Sequence, residues 1–535
     1  MSATEGSALS AAALRRLFWT ALAATVAFRL WLAWWFPMTG DEAYFVYWAD
    51  APAAGFYDHP PMVGWLLAAL GPLSHVKLVM RLPSVVLPAI IAVGMAGLVR
   101  ALARPAADGG AEMLGYAAAL AWLVAPAQVL NIAITTDTPL AFFSFLSLAA
   151  FALGVQRRSR ALVFAAGVAL GLAFLSKYFA VLLGFAYLVF TLAVRREGRW
   201  RDLAIVAAAA LPFALFNAWW NYQNCWANLL HNAYNRDTGF VWYSALVFAA
   251  LVVYLSSPLL LWQFARNPGT VRAAARAPAV AALAACAFAP LVVLAAASIG
   301  KRIGLHWLLS FMPALFMVGA LALGARRTLA SAKFLAVFSA VHVLLVLVVA
   351  ALPTEALQRL RKYDSIVMAM HPGELLAALK PYEGKFVFAA DGYSPAVTLS
   401  YRAAEIGFVA QPAAAEPWRR HYFPVFGPGS SHGRQDDILT DFRQFDGKDI
   451  LVVRKDPPDP KDYAPFFRAV QYREVTVRGA TFHLVLGEHF DYSAYRDRVL
   501  ALVRDRYYRI PAYLPQGRCY FCERHFGTAT CPPPG

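Results

Sequence analysis

The stretch LFWTALAATVAFRLWLAWWFPMTGDEAYF, residues 17–45, decides the fold class. Its first twenty residues, 17–36, carry a single charge, Arg29. At ~1.5 Å of rise per residue they cross the ~30 Å hydrocarbon core of a bilayer. Polarity returns abruptly with Asp41-Glu42, and a second polar motif, YDHPPMVGW at 57–65, adds Asp58 and His59. Acidic groups beside a membrane are costly unless something uses them. No small-residue cleavage site follows the apolar run, so a retained helix is expected rather than a signal peptide.

The remainder of the chain has the same character. Of 535 residues, 60% are hydrophobic and 15% charged, with mean hydropathy +0.50. That leaves too little polar surface for a soluble protein of this length. Hydropathy places about eleven spans, at 17–36, 82–101, 114–134, 139–155, 161–176, 179–194, 203–221, 244–265, 277–298, 305–325 and 334–352. Alternate loops are basic: Arg15/Arg16, Arg100/Arg104, QRRSR (156–160), RREGRWR (195–201), Arg266/Arg272/Arg276 and Arg326/Arg327/Lys333. This positive-inside pattern assigns them to the cytoplasm of a multi-pass inner-membrane protein with a cytoplasmic N-terminus. The other loops hold Asp41/Glu42, Asp58/His59, TTDTP (135–139), SKY (176–178), NYQNCW (221–226) and GKRIGLH (300–306).

The formal charge of +16 does not indicate nucleic acid, because seventeen basic residues lie in the cytoplasmic loops, against anionic lipid. No nucleic-acid-binding module is recognisable. Two regions are expected: a membrane domain at 1–353, including a first external loop at 37–81, and a periplasmic α/β domain at 354–535. In the latter, KFVFAAD (385–391) and DILVVRK (449–455) read as buried strands, and REVTVRGATFHLVLG (473–487) as a hairpin turning near Arg478-Gly479-Ala480. GPGSSHG (427–433) and DPPDPKD (456–462) read as loops.

Five cysteines are present. Cys225 lies in an external loop and Cys286 in an apolar span, while Cys519, Cys522, His525 and Cys531 cluster near the end. The last four suit a Cys₃His zinc site, or a disulfide with one spare thiol. An external tail favours the disulfide.

Each polar residue of the external loops has a structural reading. Arg29 snorkels to the interface; Asp50 is a solvated helix residue; Glu42 complements a helix N-terminus. Asp137 caps the next helix, with Pro139 in its first turn, Lys177 forms an ion pair, and His306 is a satisfied structural histidine. Against these stands the concentration of acids, a histidine and cations on one membrane face, with Lys177 between two short spans.

The motifs carry a resemblance. GDEAYF followed by YDHPPMVGWL, together with TTDTPL (135–140), GLAFLSKY (171–178) and NYQNCW, resembles bacterial members of the dolichyl-phosphate-mannose–protein mannosyltransferase family. Cys225 stands where that family usually has glycine in N-x-x-x-G-W. The resemblance runs over about residues 15–345 and extends, more distantly, to the lipid A aminoarabinose transferases, which have Glu-Lys in place of Asp58-His59.

It implies a polytopic α-helical GT-C glycosyltransferase using a polyprenyl-phosphate sugar. Such a donor leaves as a phosphate, so one general base and phosphate-binding cations suffice, with inversion at the anomeric carbon. Asp41 is the expected base, with Glu42 second. Lys177, Lys301 and Arg302 are expected at the donor phosphate. Asp58, His59, Asp137, Tyr57 and His306 are expected around sugar or acceptor, and Tyr57 and Trp226 as stacking surfaces. Two carboxylates and an imidazole (Asp58, His59, Asp137) also suit a divalent metal. The acceptor is left open among lipid A or core sugar, a lipid-linked glycan and protein. An O-antigen ligase or polymerase and a lipid-linked saccharide transporter are the alternative readings; a transporter favours polar groups in broken helix middles.

Overall fold

A computed structural model of the protein describes residues 10–103, 109–235, 240–427 and 435–531. Arg104, and all but the first residue of the expected loop 427–433, lie outside the described residues. The chain forms two compact units. One comprises 1–35, 76–216 and 238–350; the other comprises 36–75, 217–237 and 351–535. Of the loop 37–81, expected with the membrane domain, residues 37–75 therefore group with the C-terminal chain and 76–81 with the first unit.

In the first unit, seven helices among the described residues are long and apolar enough to cross a membrane: Ala11–Trp35, Lys77–Leu102, Asp137–Arg157, Arg199–Gln223, Pro278–Ala297, Leu305–Leu323 and Ala325–Ala351. Only the membrane-unit part of Arg199–Gln223, up to residue 216, belongs here. The protein is a multi-pass membrane protein. Of the eleven expected spans, Arg160–Ser176 and Tyr178–Ala193 are apolar but shorter. Two others break at prolines. The expected span 244–265 is two helices, Ser244–Ser256 and Pro258–Arg266, bent by 95° at Ser257, whose φ is +83°. Proline has no N–H to donate, and it disfavours helical backbone in the residue before it. The span 114–134 likewise ends as helix Gly110–Leu123 and restarts at Pro126 as Pro126–Leu130.

Beyond Leu130 the chain is non-helical up to Asp137, which leaves carbonyls that need hydrogen-bond donors from outside the segment. Arg29 supplies one of these bonds and a second to a carbonyl of helix Leu82–Leu102. Its Nη2 donates to Asn131 O at 2.7 Å and to Ser84 O, and the residue is 1% exposed. Ser84 Oγ donates to Ala133 O at 2.9 Å. The expected snorkelling of Arg29 is thus corrected, because Asn131, just past the broken helix, and Ser84 offer it acceptors indoors. Elsewhere the helices meet through small residues, as membrane helices do: a Cβ on Gly167 would lie 2.6 Å from Val206 O.

The second unit is built on a four-stranded sheet of order β1-β2-β4-β3, with β1 Val387–Ala390, β2 Ile450–Arg454, β3 Phe467–Val477 and β4 Ala480–Phe490. β1 and β2 are parallel; β4 is antiparallel to both β2 and β3. The β3–β4 turn uses Arg478 (φ +48°) and Gly479 (φ +77°), a two-residue hairpin with both centres left-handed.

Side chains alternate between the two faces of the sheet. Phe388, Ala390, Leu451, Val453, Phe482 and Leu484 enter one core, with Val367, Leu376 and Leu399 from the helices of that side. Val387, Ala389, Ile450, Val452 and Val485 enter the other, with Tyr508, Phe521 and, from the shorter pieces of the unit, Tyr57 and Cys225. Burial on both faces explains why β1 and β2 read as continuous apolar runs.

Candidate functional site

The Asp41-Glu42 motif opens helix Gly40–Asp50. Thr39 and Glu42 form a capping box: Glu42 N donates to Thr39 Oγ1 at 3.3 Å, and Thr39 N and Oγ1 donate to Glu42 Oε2 at 3.1 and 3.0 Å. Glu42 is 1% exposed, whereas Asp41 faces solvent. Two adjacent carboxylates thus differ by environment, one bound into a helix start and one presented outward. Asp41 Oδ1 accepts a hydrogen bond from the Tyr393 hydroxyl. Asp50, expected in solvent, is half-buried and bonded through Oδ1 to His75 Nε2 at 3.0 Å.

Asp58 and His59, both half-buried, sit in a turn clamped by side-chain amides. Phe56 N donates to His59 O at 3.0 Å. Asn228 Nδ2 donates to Phe56 O and Asn232 Nδ2 to Asp58 O, both at 3.0 Å. Gln435 joins the two motifs, since its Oε1 accepts from Tyr57 N at 2.8 Å and its N–H donates to Tyr44 Oη at 3.2 Å. Burial raises the pKa of both Tyr44 and Tyr393. The negative charge of Asp58 adds to it at Tyr44, and those of Asp41 and then Asp58 at Tyr393. Both phenols therefore stay protonated, and Asp41 and Asp58 share one tyrosine as neighbour. Tyr57 is 1% exposed, with its ring 5.2 Å from His231, so it is a core residue and not an open stacking surface. Trp226 Nε1 donates to Pro515 O at 2.9 Å.

In the membrane unit, Lys177 follows helix Arg160–Ser176, and its Nζ donates to Asp137 Oδ1 at 2.9 Å and Oδ2 at 2.8 Å. The side chains are 5% and 6% exposed. Asp137 is the first residue of helix Asp137–Arg157 rather than its cap, which is Thr136. Lys301 and Arg302 are exposed. His306 is half-buried at the start of Leu305–Phe311, beside the Trp307 ring.

Both carboxylate oxygens of Asp137 accept from Lys177 Nζ. Among the described residues, the set of three metal-competent ligand atoms lying together is that of Cys519, Cys522 and Cys531. These sulfurs are oxidised: disulfides join Cys225 to Cys519 and Cys522 to Cys531. The expected spare thiol is therefore paired, and its partner is 294 residues away. His525 does not complete a zinc site. Its Nδ1 is 2.9 Å from Tyr492 Oη, and burial pushes its pKa down to about 3.

The disulfide also accounts for the departure at Cys225. Cys225 and Trp226 have φ of +60° and +52°, which favours glycine. Cys225 is held there by Cys519 and by its own N–H, which donates to Arg518 O at 2.8 Å. The residues not foreseen are Tyr393, Gln435, Asn228 and Asn232. The asparagines were visible as a helical-period series, Asn217, Asn221, Asn224, Asn228 and Asn232. Tyr393 and Gln435 carried no local signal.

Residues 58–222 match the family described as dolichyl-phosphate-mannose-protein mannosyltransferase. Over 187 residues the chain is 32% identical to the Lipid A galacturonosyltransferase RgtD of Rhizobium johnstonii. That match covers 34% of this chain and 38% of the relative, so the chain spans less than two fifths of the length of that protein. Among solved structures, ArnT of Cupriavidus metallidurans bound to undecaprenyl phosphate is similar, with a TM-score of 0.54 at 17% identity, covering 88% of this chain and 97% of that one. Its apo state is similar with a TM-score of 0.51. Residues 58–222 are thus similar to the dolichyl-phosphate-mannose-protein mannosyltransferase family, and the chain as a whole shares its fold with ArnT.

Proposed function

We propose that the protein is an inverting glycosyltransferase that moves a sugar from a polyprenyl phosphate to an envelope acceptor on the periplasmic face of the inner membrane. The observation that carries this is the outward Asp41 carboxylate, set beside a structurally engaged Glu42 in a chain of GT-C fold. In the reaction Asp41 takes the proton of the acceptor hydroxyl. The acceptor oxygen bonds to the anomeric carbon, and the bond to the phosphate oxygen breaks, its electron pair leaving with the polyprenyl phosphate.

The cations divide in role. Lys177 is neutralised by Asp137 and offers a positioned dipole, whereas the exposed Lys301 and Arg302 add net positive charge for the departing phosphate. Asp58, His59 and His306 orient sugar or acceptor by hydrogen bonds. Two disulfides suit an oxidising compartment, which with the arginine-rich alternate loops favours a periplasmic tail. The name of RgtD favours lipid A as the acceptor class.

The test is reconstitution of the purified protein with lipid A and a panel of polyprenyl-phosphate sugars, galacturonate included, read by mass spectrometry. Sugar transfer by the wild type and its loss by ~10²–10⁴ in Asp41→Asn is expected. Failure of every lipid-linked sugar on lipid A, lipid-linked glycan and peptide acceptors would overturn the assignment.

A further inference from the structure

Resting on Asp41 as the base, we propose that Tyr393, a residue of the C-terminal α/β domain, is a positioning residue that holds the Asp41 carboxylate in its reactive orientation. Tyr393 opens helix Tyr393–Ile406, immediately after β1 and the connecting Asp391-Gly392. It stands outside the carboxyl end of a parallel strand, where α/β sheets present functional groups. Its hydroxyl donates to Asp41 Oδ1, which leaves Oδ2 to receive the proton. Its ring meets Tyr44 edge-on, at 5.4 Å and 61°, so the phenol is itself fixed.

The approach depends on glycine. A Cβ on Gly40 would overlap the Ser394 side chain and lie 3.0 Å from Ser394 Cα. Gly40 and Asp41 thus read as one device: the first lets the two helix starts touch, and the second meets the tyrosine across that contact. The arrangement also gives the C-terminal domain a role in the reaction. It constrains a carboxylate that would otherwise rotate freely on an exposed helix turn, and orientation of a reacting group is a large part of catalytic rate.

Tyr393→Phe keeps the ring and its packing on Tyr44 while removing the donor. The expected result is a fall in kcat of about 10–100-fold, the effect of losing one hydrogen bond to a charged group. The donor KM and the melting temperature should stay at wild-type values. In an Asp41→Asn background the same change should cost nothing further, because the oriented base is already gone. Gly40→Ala, with both functional side chains intact, should reproduce the kcat loss by separating the helices. A normal kcat in Tyr393→Phe, an effect on KM alone, or a full additional loss in the Asp41→Asn background overturns the proposal. Normal transfer by Asp41→Asn instead refutes the base assignment itself, so the two failures are distinguishable.

Discussion

The Lys177–Asp137 pair allows structure and chemistry to be separated by mutation. Its two bonds of 2.9 and 2.8 Å join side chains only 5% and 6% exposed, and a Phe179 ring lies 5.5 Å from the ammonium. At an effective dielectric of about 20 the mutual attraction is on the order of 6 kcal/mol, much of it offset by desolvation. Removing the cation in Lys177→Met strands a buried carboxylate, at a cost of about 3–5 kcal/mol. The position of Asp137 at a helix start reduces that cost towards the lower end. Lys177→Met/Asp137→Asn removes both charges and should recover most of the loss. Thermal unfolding in detergent therefore ranks wild type and double variant together, with the single variant below. Transfer should rank differently, being low by about 10²–10³ in both variants if Lys177 serves the departing phosphate. A double variant with near-normal transfer would refute the phosphate role and leave the pair purely structural. A single variant that melts like wild type would refute the burial reasoning.

Three further outcomes are expected. Glu42→Gln keeps the capping box but removes the charge at the helix start, and should lower stability by about 0.3–1 kcal/mol, seen as a slightly lower melting temperature. It should retain most transfer activity under conditions where Asp41→Asn has lost it; a dead Glu42→Gln with an active Asp41→Asn reverses the two roles. Cys225→Ser should destabilise the second unit by about 2–5 kcal/mol, read by limited proteolysis, and Cys225→Gly by less, since glycine relieves the left-handed backbone. Non-reducing peptide mapping that links Cys519 to Cys522 or Cys531 instead of Cys225 contradicts the pairing. Reporter fusions after Arg201 and after Thr354 should report cytoplasm and periplasm respectively, and a cytoplasmic tail would remove the proposed mechanism.

Hydropathy located the apolar helices because burial in lipid is a property of composition, which any window of residues reveals. Their breaks were legible only in part. Pro126 and Pro258 are visible interruptions, yet neither a 95° bend nor a non-helical 131–136 follows from a proline alone. Arg29 shows the reason. A charge in an apolar helix has two ways to be satisfied, and the choice depends on whether a distant segment offers carbonyls. Here Ser84 and Asn131 do, 55 and 102 residues along the chain.

The same logic separates the parts of the site that sequence revealed from those it hid. Asp41, Asp58 and Lys177 announce themselves, because a charge next to apolar sequence is anomalous wherever the chain goes. Tyr393 does not, since a tyrosine in an amphipathic helix beside a sheet is an ordinary residue until its partner, 352 positions earlier, is known. Cys225 falls between the two. Its presence at a glycine position was visible as an oddity, but its cause is a sulfur 294 residues away and a φ of +60°. Supporting residues need no unusual chemistry, only the right place, and place is what folding supplies. The division has a functional reading as well. On the roles proposed, Asp41 lies in the loop after the first apolar helix while the group that orients it lies in the C-terminal domain, so the tail would change the rate of the proposed transfer without contributing a reacting atom.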